Sequence, residues 1–376
     1  MIARHILIPL HDFSAGGTEA FAFRLARHWI SEGRRVTVLA GASRGPMRDR
    51  VPDGADVRIL SPERPRTALS RINLGKHMAP TAASLAPDVI FVPGNFHFGV
   101  ARAFKQRLPR VPIVAKISNP LVPAVMERPP MLSIARSALS GVTRGIDCFA
   151  ATSPGLADDL VRLLPHASVT VLYNPFVPDG ALPFRAREIR RAREALRLVG
   201  IGRLEAQKDW PLALRTIYAL RREVEVTLTI YGEGPLRSAL EGLTRSLGLE
   251  NNVFFPGFTD DISQAFATAH ALLVTSRYEG GPAVAAEALI HGVPVVSTAC
   301  SHFLSDLIDR PALGRIVASR APEDLARAAL DLSRTAFAPE AVIEAKVAPL
   351  RQSRSALAYL EVFDSLVSEG ARGAAE

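Results

Sequence analysis

Between Ala271 and Ser297 the chain passes from one apolar run, Ala271-Leu272-Leu273-Val274, to another, Val293-Pro294-Val295-Val296-Ser297. The segment between them opens with Ser276-Arg277-Tyr278-Glu279-Gly280-Gly281-Pro282 and continues through an alanine-rich stretch to His291-Gly292. Two short apolar runs joined by a glycine turn and a helix-length segment predict strand, turn, helix, strand. Such a unit belongs in a parallel sheet covered by helices. Pro282 suits the first turn of the helix, where its missing N–H costs nothing, and the glycines before it let backbone approach a ligand closely. The helix start is thus an expected anion site. Glu279 stands just before the turn and Glu287 inside the helix. Carboxylates bracketing a helix N-terminus suit a ligand with hydroxyls at both ends and negative charge in the middle, the shape of a nucleotide sugar.

The same alternation runs through the rest of the chain. Expected strands are 5–10, 36–39, 57–60, 89–92, 113–116, 149–151 and 169–172, with helices between, which predicts a doubly wound, Rossmann-like first domain. Ser14-Ala15-Gly16-Gly17-Thr18-Glu19 reads as the turn from the first strand into a helix that Thr18 could cap, and Gly16-Gly17 as a second place where phosphate could sit. It is neither G-x-G-x-x-G nor a Walker motif, so an ordinary strand-to-helix turn stays open. At the carboxyl ends of the fourth and fifth strands lie Gly94-Asn95-Phe96-His97 and Ser118-Asn119-Pro120, and His97 is the candidate there, a surface role being its bland alternative. Tyr173–Pro178 reads as a hinge, and 185–197, with six arginines, as a short, solvated charged helix. The alternation then restarts: strands at 198–202, 226–231 and 252–257, helices from Trp210 to Arg221 and from Pro235 to Leu247, and a third glycine turn at Gly232-Glu233-Gly234-Pro235. After Ser297 come a strand at 314–318 and helices at about 322–333 and 353–367, the last expected to pack back on the first domain. Residues 1–175 with 352–376 are therefore expected as one domain and 176–351 as the other.

A chain of 376 residues suits two domains of ordinary size. Cys148 and Cys300, far apart in sequence, argue for a reduced compartment and against a disulfide framework. The only apolar run near the N-terminus, Ile6–Leu10, is too short for a secretory segment, so a cytoplasmic protein is expected. Charge is uneven: residues 1–175 hold 22 Lys+Arg against 12 Asp+Glu, and residues 176–376 hold 23 against 25. The basic half should face an acidic partner, and its arginines lack the aromatic interleaving that stacks bases, which disfavours nucleic acid. The densest basic segment, Arg64, Arg66, Arg71, Lys76 and His77, reads either as a solvated helix face or as an acceptor or lipid-headgroup contact.

Four motifs recur in order: Gly202-Arg203-Leu204-Glu205-Ala206-Gln207-Lys208, Tyr231-Gly232-Glu233-Gly234-Pro235, Val253-Phe254-Phe255-Pro256-Gly257, and Glu279 with Glu287 seven residues between them. Together they resemble the retaining group 1 glycosyl transferases of the GT-B fold, strongly over 198–300 and weakly over 1–175. Arg203 and Lys208 at a strand end can put two fixed cations on a diphosphate in place of a metal; no Asp-x-Asp or His/Cys set is visible. The resemblance implies two Rossmann-like domains whose parallel sheets face a central cleft. It places Glu287 on the ribose, Glu279 with the backbone of Gly280-Gly281-Pro282 and Ala283 on the transferred sugar, and Gly257-Phe258-Thr259 near the base. Gly16-Gly17 would approach the diphosphate and His97 would lie against the transferred sugar. Bland readings remain beside these: Glu279 as a charge favoured by the helix dipole, Arg203 and Glu205 as a surface pair.

The implied reaction is metal-independent transfer with retention, from a nucleotide sugar with UDP as default base, without a resident cofactor. Two cations and helix N-termini would stabilise the departing diphosphate while an acceptor hydroxyl attacks the same face. The acceptor would be a glycan, glycolipid or lipid-linked hydroxyl in surface polysaccharide or glycolipid assembly, and the basic first domain suggests peripheral contact with an anionic inner membrane face. Two alternatives are kept: an epimerase of the same fold, which would act without an acceptor, and a catalytically silent binding protein. Intact Arg203, Lys208, Glu279 and Glu287 argue against the second.

Overall fold

The structure is a computed structural model, and it describes residues 2–14, 16–67, 70–117, 119, 121, 131–185, 189–191 and 194–372. The chain forms two units, residues 1–178 with 349–376, and residues 179–348. The expected boundaries differ by three residues because Val177 bridges Arg351 and bonds backbone to backbone with Leu350 and Gln352, which holds both crossing segments in the first unit.

The first unit is a seven-stranded, all-parallel sheet in the order β3-β2-β1-β4-β5-β6-β7. Its strands are β1 His5–Leu10, β2 Arg35–Ala40, β3 Asp56–Ile59, β4 Val89–Val92, β5 Ile113–Lys116, β6 Cys148–Ala151 and β7 Val169–Val171. Its helices are α1 Gly17–Ser31, α2 Ser70–Leu85, α3 Val100–Arg107, α4 Met131–Val142 and α5 Pro154–Leu163, with α13 Gln352–Arg372 closing the chain. All six residues of β1 are buried, as expected where helices cover both faces of a parallel sheet. Helix α1 presents Phe21, Leu25 and Trp29 to that sheet. Tyr359, Leu360 and Phe363 of α13 pack into the same core, and Trp29 Nε1 donates to the Ala356 carbonyl at 3.0 Å. Arg34 and Asp364 add an ion pair at 2.9 Å. The last helix does return to the first unit, with Leu357 pointing outward.

The second unit is a six-stranded parallel sheet in the order β10-β9-β8-β11-β12-β13. Its strands are β8 Leu196–Ile201, β9 Val226–Tyr231, β10 Val253–Gly257, β11 Ala271–Val274, β12 Val295–Thr298 and β13 Gly314–Val317. Its helices are α6 Trp210–Leu220, α7 Arg237–Ser246, α8 Ile262–Ala267, α9 Ala283–Ile290, α10 His302–Leu307, α11 Pro322–Leu332 and α12 Glu340–Val347. Both units are thus Rossmann-like, and in each the strand order reverses once at the centre, between β1 and β4 and between β8 and β11.

Four local expectations change. Thr18 does not cap α1; Gly16 is the extended N-cap residue, it supplies no side-chain bond, and Glu19 provides the negative charge of the first turn. Pro282 is the extended residue before α9 rather than its first helical residue, and Pro235 lies outside α7, which starts at Arg237. The charged helix expected at 185–197 is absent among the described residues there, and Leu196 and Arg197 already belong to β8. Arg190 is not solvated: it is buried against Ser333.

Candidate functional site

In open parallel sheets ligands bind outside the carboxyl ends of the strands where the order reverses. In the second unit this point joins the loops after β8 and β11. Gly202, at φ +156°, turns the chain out of β8, and a Cβ on Gly232 would fall 2.0 Å from the Gly202 carbonyl oxygen. The loops after β8 and β9 therefore touch backbone to backbone, with Leu204 N–H donating to Glu233 O at 2.9 Å. The glycines of Gly232-Glu233-Gly234 serve this crossing; a Cβ on Gly234 would likewise meet the Leu204 backbone. Trp210 Nε1 donates to Arg203 O at 2.9 Å and holds the turn from the other side. The Arg203 guanidinium lies on Glu205 at 2.8 Å with its side chain 63% exposed, a surface pair that an anion could displace at little cost.

Lys208 ends a short 3-10 turn, Ala206–Lys208, and its Nζ donates to Glu279 Oε1 at 2.7 Å. Ser276 Oγ donates to the same oxygen at 2.7 Å, whereas Oε2 faces Gln207 Nε2 at 3.5 Å. The pair is largely enclosed, with side-chain exposures of 19% and 10%. Glu279 N–H donates to Cys300 O at 2.7 Å, which fixes the loop carrying the carboxylate. Behind Lys208, Asp209 adopts a left-handed conformation at φ +47°. Its carboxylate takes Arg320 at 2.7 Å and Arg277 at 3.2 Å. Arg320 also donates to the carbonyls of Thr275 and Ser276, so one cation ties the β11 loop to the β8 loop.

Glu287 is half-buried on α9, and its carbonyl accepts from His291 Nδ1 at 2.7 Å. Gly280 and Pro282 are buried, while Gly281 and Ala283, at the entrance to α9, are half-buried. Gly257 has φ +96°, and the Phe258 ring after it is exposed, free to stack on a planar group. The structure therefore joins Lys208 to Glu279 directly and leaves Arg203 on its own exposed partner. Asp209 and Arg320 were not legible: an aspartate after a lysine and an arginine beyond the last central strand carry no local pattern.

In the first unit the reversal point brings together the ends of β1 and β4. His97 is buried, and its Nε2 accepts the His11 N–H at 3.2 Å, which places the imidazole proton on Nδ1 of the neutral ring. Phe96 stacks edge-on against His11 at 4.7 Å, and Arg66 lies over the Phe96 ring at 4.5 Å. Arg66 also grips Asp12 through Nη2 at 2.9 Å and Nε at 3.1 Å, with Glu19 at 3.5 Å. Burial alone would raise Asp12, but Arg66 and Ser14 hold its carboxyl below the usual range; burial pushes Glu19 up. Of the basic segment, Arg66 thus turns inward to brace the His97 turn, while Lys76 and His77 are exposed on α2. Asn95 Nδ2 donates to Asn119 O at 2.8 Å, and Ser118 and Pro120 of that loop lie outside the described residues. Lys116, at the end of β5, is buried over the Phe21 ring at 4.1 Å, and burial lowers it to about 7. Gly16 and Gly17 open α1 beside Glu19; a Cβ on Gly17 would meet nothing within 4 Å.

Residues 195–335 match the family described as glycosyl transferases group 1, and residues 15–179 match glycosyltransferase family 4. Two successive stretches of the chain thus match glycosyltransferase families. The group 1 half contains Arg203, Lys208, Glu279, Glu287 and Arg320; the family 4 half contains Gly16, Gly17, Arg66 and His97. Among curated glycosyltransferases, the lipopolysaccharide core biosynthesis enzyme LpsE of Rhizobium meliloti is 25% identical over 288 residues, 77% of each chain. Poly(glycerol-phosphate) alpha-glucosyltransferase of Bacillus subtilis is 26% identical over 46% of this chain and 26% of its own. The matches to the first three curated relatives span 44%, 26% and 33% of those proteins. Two solved structures share the fold: the lipopolysaccharide outer core galactosyltransferase WaaB, with TM-score 0.73, 16% identity and coverage of 97% of this chain and 99% of that one, and Anabaena HepE in complex with UDP and glucose, with TM-score 0.74, 18% identity and coverage of 96% and 100%. The fold is that of GT-B glycosyltransferases. Of the residues singled out from sequence, Arg203, Lys208 and Glu279 lie on the loops after β8 and β11 at the reversal point of the second unit, and His97 lies after β4 at that of the first, whereas Gly257 and Phe258 follow the edge strand β10.

Proposed function

We propose that the chain transfers a sugar, with retention, from a UDP-sugar to a hydroxyl of a glycan or lipid-linked acceptor in lipopolysaccharide-type or other surface polysaccharide assembly. The observation that carries this is the enclosed Lys208–Glu279 pair at the β8/β11 reversal. One carboxylate oxygen takes Lys208 and Ser276, and the other, among the described residues, has only a long contact with Gln207, an arrangement suited to reading a sugar hydroxyl beside a cation. Lys208 and Arg203 would hold the leaving diphosphate without requiring a metal, Glu287 the ribose, Gly257-Phe258 the base, and the backbone from Gly280 to Ala283 the transferred sugar. Gly16-Gly17 would approach the diphosphate, and His97, a donor through Nδ1, would meet the transferred sugar. The UDP and glucose of the HepE complex and the lipopolysaccharide assignment of LpsE support donor and acceptor class.

Thermal unfolding with UDP, GDP, ADP and UDP-sugars tests the donor. A nucleotide at about a hundred times its Kd stabilises by roughly 2.7 kcal/mol, a shift of several degrees. If none of them moves the transition, the donor reading fails; if sugar isomers form with no acceptor present, the enzyme is an epimerase. His97→Ala should lower turnover by about a hundredfold while UDP stabilisation persists; unchanged turnover would remove His97 from the reaction.

Gly17→Ala separates ligand from fold. Its Cβ has open space and alanine is the better helix former by about 1 kcal/mol, so the melting temperature should hold or rise. Nucleotide affinity should nevertheless drop, because the added methyl occupies the path of the diphosphate. Undiminished UDP binding would show that Gly17 does not face the donor.

A further inference from the structure

Asp209 follows Lys208 directly, and it gives up two local preferences of its residue type. At φ +47° and ψ +49° it stands in the left-handed region that favours glycine. It is also the N-cap residue of α6, where an aspartate ordinarily accepts a backbone N–H of the first turn, yet its side chain makes no cap bond. The carboxylate, in a residue only 9% exposed, is turned instead to Arg320 after β13 and Arg277 after β11. A long-range link thus prevails over both local preferences, and what it holds is the turn that carries Lys208. Arg320 donates to the Ser276 carbonyl at 3.0 Å through Nη1 and to the Thr275 carbonyl at 2.9 Å through Nη2, the nitrogen that also meets Asp209. Thr275 Oγ1 in turn donates to the Lys208 carbonyl at 2.9 Å, and the Arg277 N–H to the Gln207 carbonyl at 2.8 Å. On its other side the Lys208 side chain runs past Gly202, where a Cβ would stand 3.1 Å from Cε.

We propose that Asp209 and Arg320 are positioning residues for the transfer: they hold the Lys208 ammonium in place against Glu279 before the donor arrives, and they act through Lys208 rather than on the donor. The proposal rests on the reading of Lys208 as the cation on the leaving diphosphate. Charge points the same way. A lone carboxylate next in the chain to Lys208 would repel a diphosphate, and Arg320 with Arg277 cancels it. The geometry also asks for arginine at position 320. A planar guanidinium spans one carboxylate and two carbonyls at once, which the compact ammonium of a lysine does not. The left-handed backbone of Asp209 fits this role, since a conformation held against local preference belongs where the surroundings fix a side chain for use.

The test compares turnover, melting and the UDP-induced thermal shift in Asp209→Gly and Arg320→Lys, each alone and combined with Lys208→Ala. Asp209→Gly places glycine where the backbone favours it, so melting should hold while kcat/KM falls about ten- to a hundredfold. Arg320→Lys keeps the charge and should lose kcat/KM to a similar extent. In the Lys208→Ala background neither substitution should lower kcat/KM further, because residues that act through one group are not additive with its removal. Unchanged turnover in Asp209→Gly, or the full loss repeated on top of Lys208→Ala, would overturn the proposal. So would a lowered melting temperature in Arg320→Lys with wild-type turnover, which would make the ion pair structural alone. A wild-type protein with no UDP shift would sink the donor reading and this proposal with it, whereas a wild-type shift beside unaffected variants strikes only the positioning role.

Discussion

Lys208→Ala should abolish UDP-induced stabilisation and lower kcat/KM by about 10²–10³-fold, the effect of removing one preorganised charge from a developing phosphate charge. It should also cost stability, which sequence reasoning alone did not foresee. Lys208 is the cation on Glu279, whose side chain is only 10% exposed. Leaving that carboxylate without its partner costs roughly 1–3 kcal/mol, or about 2–10 °C for a unit of this size. Lys208→Ala/Glu279→Gln should recover most of the lost melting temperature and none of the activity. Glu287→Ala removes a half-buried carboxylate from α9 and should likewise lose UDP stabilisation. Calorimetry with and without UDP, alongside turnover, separates these outcomes. Wild-type UDP shifts in both Lys208→Ala and Glu287→Ala would dismiss the donor-site assignment.

Phe363→Ala should destabilise the first unit by about 3–5 kcal/mol, because its ring is fully buried and the surrounding aromatic side chains cannot collapse into the space. Phe363 lies 5.2 Å from Trp29 and 5.9 Å from Phe91 between ring centroids, so the helix that closes the chain is keyed into the centre of the sheet. A fall of roughly 10 °C in the melting of that unit is expected. Tyr359→Phe, one turn away, should behave in the opposite sense. The Tyr359 hydroxyl is buried with no hydrogen-bond partner among the described residues, and burial pushes its phenol far above the usual value. Deleting it keeps the ring and removes an unmet polar group, so stability should hold or rise by up to about 1 kcal/mol. A marked loss in Tyr359→Phe would mean that the hydroxyl has a partner.

Much of the architecture was legible because parallel strands buried on both faces are written as short apolar runs, and β1, β4, β5 and β9 fall where those runs predict. Helix starts were less legible. Thr18 is acceptable as a cap, and Pro235 and Pro282 at a first turn, by propensity, yet backbone geometry puts Thr18 inside the first turn of α1 and both prolines before their helices, since capping depends on where the preceding loop is pinned. The arginines of 185–197 read as solvated because composition does not reveal that Arg190 would meet Ser333 across the unit.

The sequence by itself determined the period of the elements, the turns, and the residue types with the chemistry to hold a nucleotide sugar, because these follow from spacing and side-chain chemistry within a few residues. The tertiary structure alone decided which of those turns meet. Lys208 and Glu279 are 71 positions apart, and they touch because β11, not β9, lies on the far side of β8 and closes the order reversal. Arg66 reaches Asp12, and Arg320 reaches Asp209, by the same kind of crossing. Such pairings are set by hydrogen bonding and burial summed over whole sheets, and no local pattern in the chain carries that sum.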